Sequence, residues 1–297
     1  MKAIAEFGST SRNESDEHSD RDLLIIMDGS WSRAKIARQF SSIGYSCSTL
    51  SPSQISFMAK KGSLFVQHLK HEARIIWDDQ ASFKIFLQEA PFVSPSAAEI
   101  AKCKDALRYS LSPVPRQELH GWQSDFVYCI SRDILIKNSA QLGLAVFGLN
   151  ELIKTLPLDD ATKSEALEVM RGLRLEKSRF RKGEKASVHA TSLITRWRCL
   201  AAEIFQLQLP TESFESSVRQ RKFSSNYEVL RVLEYLDLIA KIDGTKQLSA
   251  QMKRMISAPN KYRSCQAHRT PMLIHELSKM VGQTSSNGRH PSEIADT

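Results

Sequence analysis

The sequence predicts an α+β protein, a small mixed-sheet domain followed by an α-helical bundle domain. Three observations carry this expectation. The apolar run Leu23-Leu24-Ile25-Ile26-Met27, led in by Asp20-Arg21-Asp22, has the length of a buried strand. Tyr45–Leu50 and Arg74–Asp79 read as further strands, the second of them preceded by a helix-like segment. Beyond Pro91 and Pro95 the remaining segments repeat their apolar residues at helical spacing.

The elements follow in chain order. Gly8-Ser9 is a small-residue turn ahead of the first clear strand. In an extended stretch over 20–27, side chains alternate, so Asp20 and Asp22 point one way and Arg21 the other. Gly62-Ser63-Leu64-Phe65 leads into a helix through His68 and Glu72, and Arg74–Asp79 then reads as an edge strand. Ser94 with Pro95 opens a helix over Ala97–Leu111, and Ser112–Gly121, with Pro113 and Pro115, is a loop. Helical spacing runs over Trp122–Leu156, with Ala140–Leu144 facing the core. Asp159–Arg181 and Val188–Leu209 are amphipathic helices, and Tyr227–Ile242 repeats the pattern through Leu230, Leu233, Leu236 and Ile239. The expected domains are 1–93 for the sheet and 94–280 for the helices, with a polar, disordered tail over 281–297.

Composition narrows the function classes. The 297 residues are 41% hydrophobic, an ordinary globular value, and long enough for two domains. No apolar run approaches the roughly 18 residues that span a bilayer, and no signal-peptide core follows Lys2. Cys47, Cys103, Cys129, Cys199 and Cys265 are odd in number and widely spaced, which points to free thiols and a cytoplasmic protein. The net charge of +8 is uneven: residues 1–93 hold 11 basic and 11 acidic side chains, so the excess belongs to the rest. It is densest over Arg171–Lys185, with seven basic residues against Glu176 and Glu184. Such a stretch could meet phosphate, on RNA or on a nucleotide's triphosphate, although a solvated helix face is the commoner meaning. Phe180 is the sole aromatic there, so a base-stacking platform is not indicated.

The chemistry concentrates near the N-terminus. Two carboxylates two positions apart on one strand face repel, and a divalent cation relieves them. A nearby turn of small residues receives phosphate oxygens on its backbone N–H groups. Together these features suggest nucleotide chemistry.

The block Phe7-Gly8-Ser9-Thr10-Ser11-Arg12, followed by Ser19-Asp20-Arg21-Asp22-Leu23-Leu24, resembles the DNA polymerase β-like nucleotidyltransferase superfamily. That family carries a Gly-Ser turn, a spacer and an Asp-x-Asp strand end, and it includes small bacterial nucleotidyltransferases and antibiotic adenylyltransferases. The likeness covers about residues 1–90. It implies a nucleotidyltransferase core in which Asp20 and Asp22 are catalytic and hold Mg2+ (or Mn2+). Gly8, Ser9 and Arg12 would bind the phosphates of a nucleoside triphosphate, ATP being expected. The acceptor hydroxyl stays open among small molecule, protein and RNA, and so does a protein partner or homo-oligomer. No membrane is expected to take part.

Two departures from the family pattern open alternatives. The family's third carboxylate sits on the next strand, and Tyr45-Ser46-Cys47-Ser48-Thr49-Leu50 has no acid. Asp28 lies at the far end of the Asp20 strand, and Asp78 and Asp79 lie on the later edge strand. Ser46 or Ser48 could hold a water but cannot act as a base near neutral pH. Only Met1–Glu6 precede Phe7, where the family has a helix, so that helix is absent or the true start lies upstream. The alternatives are a nucleotide-binding pseudoenzyme or antitoxin-like partner protein, and an RNA-binding module using the basic helical half. His68, His71 and Glu72 read as an exposed helix face rather than a zinc site. The interval from Arg181 to His189 is too long for the Arg-to-His motif of helical ribonuclease domains.

Overall fold

The computed structural model of the chain describes residues 1–8, 11, 21–220, 223, 225–243 and 256. The fold is mixed α and β, with a four-stranded mixed sheet and many helices. The chain divides into two compact units, Met1–Ala101 with Arg132–Leu167, and Lys102–Ser131 with Glu168–Thr297. The tail expected over 281–297 lies outside the described residues. No helix among the described residues is long and apolar enough to cross a membrane.

The first unit is built on strands β1 (Ala3–Phe7), β2 (Arg21–Ile26), β3 (Tyr45–Leu50) and β4 (Arg74–Asp78), in the order β3-β2-β1-β4. β1 is antiparallel to both β2 and β4. β2 and β3 run parallel, which requires a crossover, here helix α1 (Ser30–Ser41). Alternation along β1 and β2 sends Ala3, Ala5, Phe7, Leu24 and Ile26 to one face. There they meet Ile55 and Ala59 of helix α2 (Pro52–Lys60), Val66 and Leu69 of α3 (Leu64–Glu72), and Phe83 and Leu87 of α4 (Ser82–Glu89). Each large apolar side chain fully buried there contributes about 1.5–3 kcal/mol.

Local sequence explains where these helices start. Ser51 accepts from the Gln54 backbone N–H, Gln54 reciprocates on the Ser51 N–H, and Pro52 fills the first turn, so α2 opens on a complete capping box. Asp78, at the end of β4, accepts from the backbone N–H groups of Phe83 and Lys84, both at 2.9 Å, and so caps α4.

Helix α5 (Ala97–Ser110) matches the expected helix, and the loop after it holds a short 3-10 turn at Gln117–Leu119. Apolar spacing over 122–156 does not give one continuous helix. Helix α6 (His120–Gln141) stops, and α7 (Leu149–Lys154) is separate. Gly143, at φ 78°, takes the left-handed conformation that ends a helix, with the Leu144 N–H bonded back to the Ser139 carbonyl. Ala140 is buried, but Leu142 and Leu144 are exposed, which corrects the expectation that 140–144 faces the core.

The second unit is helical, drawing on α9 (Ala190–Phe205), α10 (Phe214–Gln220) and α11 (Asn226–Asp243) with parts of α5, α6 and α8 (Asp160–Arg181). Its core is aromatic. Trp122 packs on Phe126, Phe214 and Tyr235, and its indole N–H donates to the Arg231 carbonyl at 3.0 Å. The Trp197 indole donates to Ser131 Oγ at 2.7 Å, so both buried indoles have the partner that burial demands. α8 and α9 approach closely at Gly172, where an added Cβ would lie 2.6 Å from Leu193 Cδ2.

Candidate functional site

Of the residues the motif nominates, the structure describes Gly8 and Asp22. Ser9, Arg12 and Asp20 lie outside the described residues. Gly8 closes β1 at φ 79°, a conformation that L side chains rarely adopt. Its carbonyl accepts from Ser11 Oγ at 2.8 Å. A Cβ added to Gly8 would sit 3.1 Å from Asp22 Oδ2, so the turn and the carboxylate abut.

Asp22 is half-buried, second in β2. Its cross-strand neighbours are Phe7 of β1 and Ser46 of β3. Neighbours paired in register share a face, so the β3 position beside Asp22 belongs to an exposed serine. Asp28 follows β2 and lies at its opposite end from Asp22. Asp78 pairs with Ala3, four residues along β1 from Phe7, or about 13 Å at strand rise. Its carboxylate is committed to the α4 cap. Among the described residues no group of three His, Cys, Asp or Glu side chains could hold a metal. The Asp22 carboxylate and the hydroxyl of its register neighbour Ser46 are hard oxygens of the kind Mg2+ and Mn2+ prefer.

Behind Phe7 lies a ring cluster. Phe7 meets Phe65 edge-on at 5.4 Å and His68 edge-on at 5.8 Å, and His68 stacks on Phe147 at 4.6 Å. His68 Nε2 lies 2.7 Å from Glu72 Oε2. His68 therefore faces inward, contrary to the exposed helix face expected for it, while His71 is exposed. The i,i+4 spacing to Glu72 and the rings of Phe7 and Phe147 account for the difference.

The opposite sheet face holds a group the sequence reading missed. Glu6, 2% exposed, accepts from Tyr45 Oη at 2.7 Å and from Arg74 Nε at 2.9 Å. Burial raises its pKa. The bonds from Tyr45 and Arg74 and the charges of Arg74 and Arg21 outweigh that and hold it below the ordinary carboxylate value. A single acid inside the apolar strand Ala3-Ile4-Ala5-Glu6-Phe7 was the available signal, since such a group must find partners.

Three of the seven basic residues over 171–185 are engaged within their own unit. Arg181 forks onto Asp125, Arg179 Nη1 lies 3.7 Å from Glu176, and Lys177 sits 5.1 Å from the Tyr128 ring centroid. Arg171 and Arg174 have partners as well. Lys182 and Lys185 remain exposed. The second unit also has a polar cleft of about 440 Å³ between Arg108, Tyr109, Ser112 and the 208–212 segment, and no residue of the motif lines it.

No protein-family model matches this chain, and neither does any curated protein or solved structure.

Proposed function

We propose that the chain is a metal-dependent nucleotidyltransferase of the DNA polymerase β-like kind, transferring a nucleotide monophosphate from a nucleoside triphosphate, ATP in the first instance, to an acceptor hydroxyl. The observation that carries this is the contact between the Gly8 turn and the Asp22 carboxylate. That proximity supports a reading in which the backbone at Gly8 receives an anion and Asp22 binds a cation at one end of one sheet.

The chain's own residues divide the work. Asp22 with Asp20 would hold Mg2+ on the triphosphate, and the bound ion would neutralise charge developing on the phosphate oxygens. The turn from Gly8 to Ser11 would orient the phosphates through its N–H groups, with Arg12 toward the leaving end. The acceptor oxygen bonds to the α-phosphorus as the bond to pyrophosphate breaks. In this reading Ser46 stands where a proton-accepting acid is expected, and a serine is too weak a base for that step.

Ser46 favours a second reading, in which the site binds nucleotide with little or no turnover. One assay separates the two: release of pyrophosphate and transfer of label from each α-labelled nucleoside triphosphate, with Mg2+ or Mn2+, for wild type and Asp20→Ala/Asp22→Ala. Transfer that disappears in the variant establishes the enzyme and its nucleotide. Metal-dependent binding without transfer establishes the binding protein. Neither activity with any nucleotide would sink both readings.

A further inference from the structure

Helix α1 has two opposite faces. Arg33, Ile36, Ala37 and Phe40 are half-buried at i, i+3, i+4 and i+7, the stripe that packs inward. Phe40 meets the Tyr45 ring of β3 edge-on at 5.7 Å, and Arg33 Nη1 donates to the Met27 carbonyl at 2.6 Å, so the helix is held near both ends. The outward stripe is Trp31, Lys35 and Arg38, at i, i+4 and i+7 and all exposed. Trp31 is 84% exposed, in a residue type that is usually well buried. Arg38 gives its Nε to the Ala34 carbonyl at 3.2 Å and retains its terminal donors.

This stripe sits in a segment of one sign. From Gly29 to His71 the chain has six Lys or Arg and no Asp or Glu. Even the first turn of α1, where an acid would be stabilised by the helix dipole, has none. The even charge balance of residues 1–93 hides this, because every acid there lies before Gly29 or after His71.

Cations in line with a bare aromatic ring fit a single nucleic-acid strand, with a base stacked on the ring and phosphates on the cations. Along the helix axis Lys35 stands about 6 Å from Trp31, and Arg38 about 4.5 Å further. A base and its neighbouring phosphates therefore reach the stripe together. A bilayer surface fits less well. Helices that lie in a membrane separate an apolar face from a basic one, whereas here the indole shares its face with both cations. Stacking on a side chain also requires a base free of a duplex. Ser30 and Ser32, exposed on either side of Trp31, offer hydroxyls to a ribose 2′-hydroxyl, which favours RNA.

We propose that the outward face of α1 is a docking surface for single-stranded RNA, with Trp31 as the stacking platform and Lys35 and Arg38 as phosphate contacts. It requires neither Asp22 nor the basic stretch of α8, and it does not rest on the nucleotidyltransferase reading.

The test is fluorescence anisotropy of a labelled oligoadenylate RNA titrated with the full chain over a series of salt concentrations, with melting temperatures in parallel. The substituted side chains are exposed, so melting should not change. Trp31→Ala should weaken binding about tenfold, and Trp31→Phe should recover most of the loss. Lys35→Ala/Arg38→Ala should lower the slope of log affinity against log salt by about 1.4, or about 0.7 for each phosphate contact. Lys182→Ala/Lys185→Ala, at exposed positions of the other unit, should bind as wild type does. A wild type that binds no RNA, or Trp31→Ala and Lys35→Ala/Arg38→Ala variants that bind normally, overturns the surface. Loss confined to Lys182→Ala/Lys185→Ala moves RNA to the second unit and overturns it as well. Binding to phosphatidylserine vesicles without binding to RNA makes the face a membrane contact instead. A DNA oligomer of the same sequence bound as tightly overturns the assignment to RNA.

Discussion

A methyl group on Gly8 would meet two penalties. The backbone is at φ 79°, where a side chain costs about 1–2 kcal/mol, and the new carbon would press to 3.1 Å from Asp22 Oδ2. Gly8→Ala should therefore lose about 1–2 kcal/mol or more in urea denaturation and weaken ATP binding in the presence of Mn2+. Retained affinity would show that the turn is not a phosphate site. Ser46→Asp probes the neighbouring position from the other direction. It places an acid beside Asp22 on an exposed strand position, where the side chain has room. If the missing base limits turnover, label transfer should rise on the order of 100-fold, and an unchanged rate would mean that another group takes the proton. Gly8 and Asp22 could be nominated from sequence because their chemistry is local to a turn and a strand end. Glu6, Tyr45 and Arg74 could not, because 39 and 68 residues separate Glu6 from its two partners. Only strand order brings them together.

At the scale of elements, the strands over 21–26 and 45–50 were legible because each carries its own local signal, while the equally local start of α2 was missed by the sequence reading. Asp22 leads an apolar run, and Ser51-Pro52 begins a helix. The 142–144 segment was not legible, since Leu142 and Leu144 continue an apolar spacing that Gly143 interrupts by conformation alone. Asp78 illustrates the same gap for function. As an acid at a strand end it resembles a metal ligand, yet both its oxygens bond the first turn of α4. Asp78→Ala should cost about 0.5–2 kcal/mol through loss of that cap, measured by urea denaturation, and should leave Mn2+ affinity unchanged. A variant of normal stability that binds metal poorly would return Asp78 to the site.

At the scale of the whole molecule, stability against acid should be governed by a carboxylate far in sequence from the motif. Asp125 is 1% exposed and lies between Arg231, 2% exposed and 3.0 Å away, and the forked guanidinium of Arg181. Burial raises its pKa. The charges of Arg231 and Arg181, with the bonds from Arg181, outweigh burial, and the net shift is downward. A carboxyl depressed in the folded state contributes stability that is complete above its unfolded value, about 3.9, and that disappears as pH falls through the lower folded value. Asp125→Asn keeps the shape and removes one of the two carboxylates beside the buried Arg231, the other being Glu234 at 2.8 Å, at a cost of up to about 3–5 kcal/mol near neutral pH. That is a large fraction of the roughly 5–15 kcal/mol that holds a typical domain. Trp122 and Trp197 lie in the core of the same unit and report its unfolding. Urea midpoints from their fluorescence should separate wild type from Asp125→Asn at pH 7, and the two curves should converge below about pH 4 as the wild-type carboxyl takes up its proton. A constant offset down to pH 2.5 would mean that Asp125 contributes packing rather than charge, and the acid sensitivity would then have to originate elsewhere.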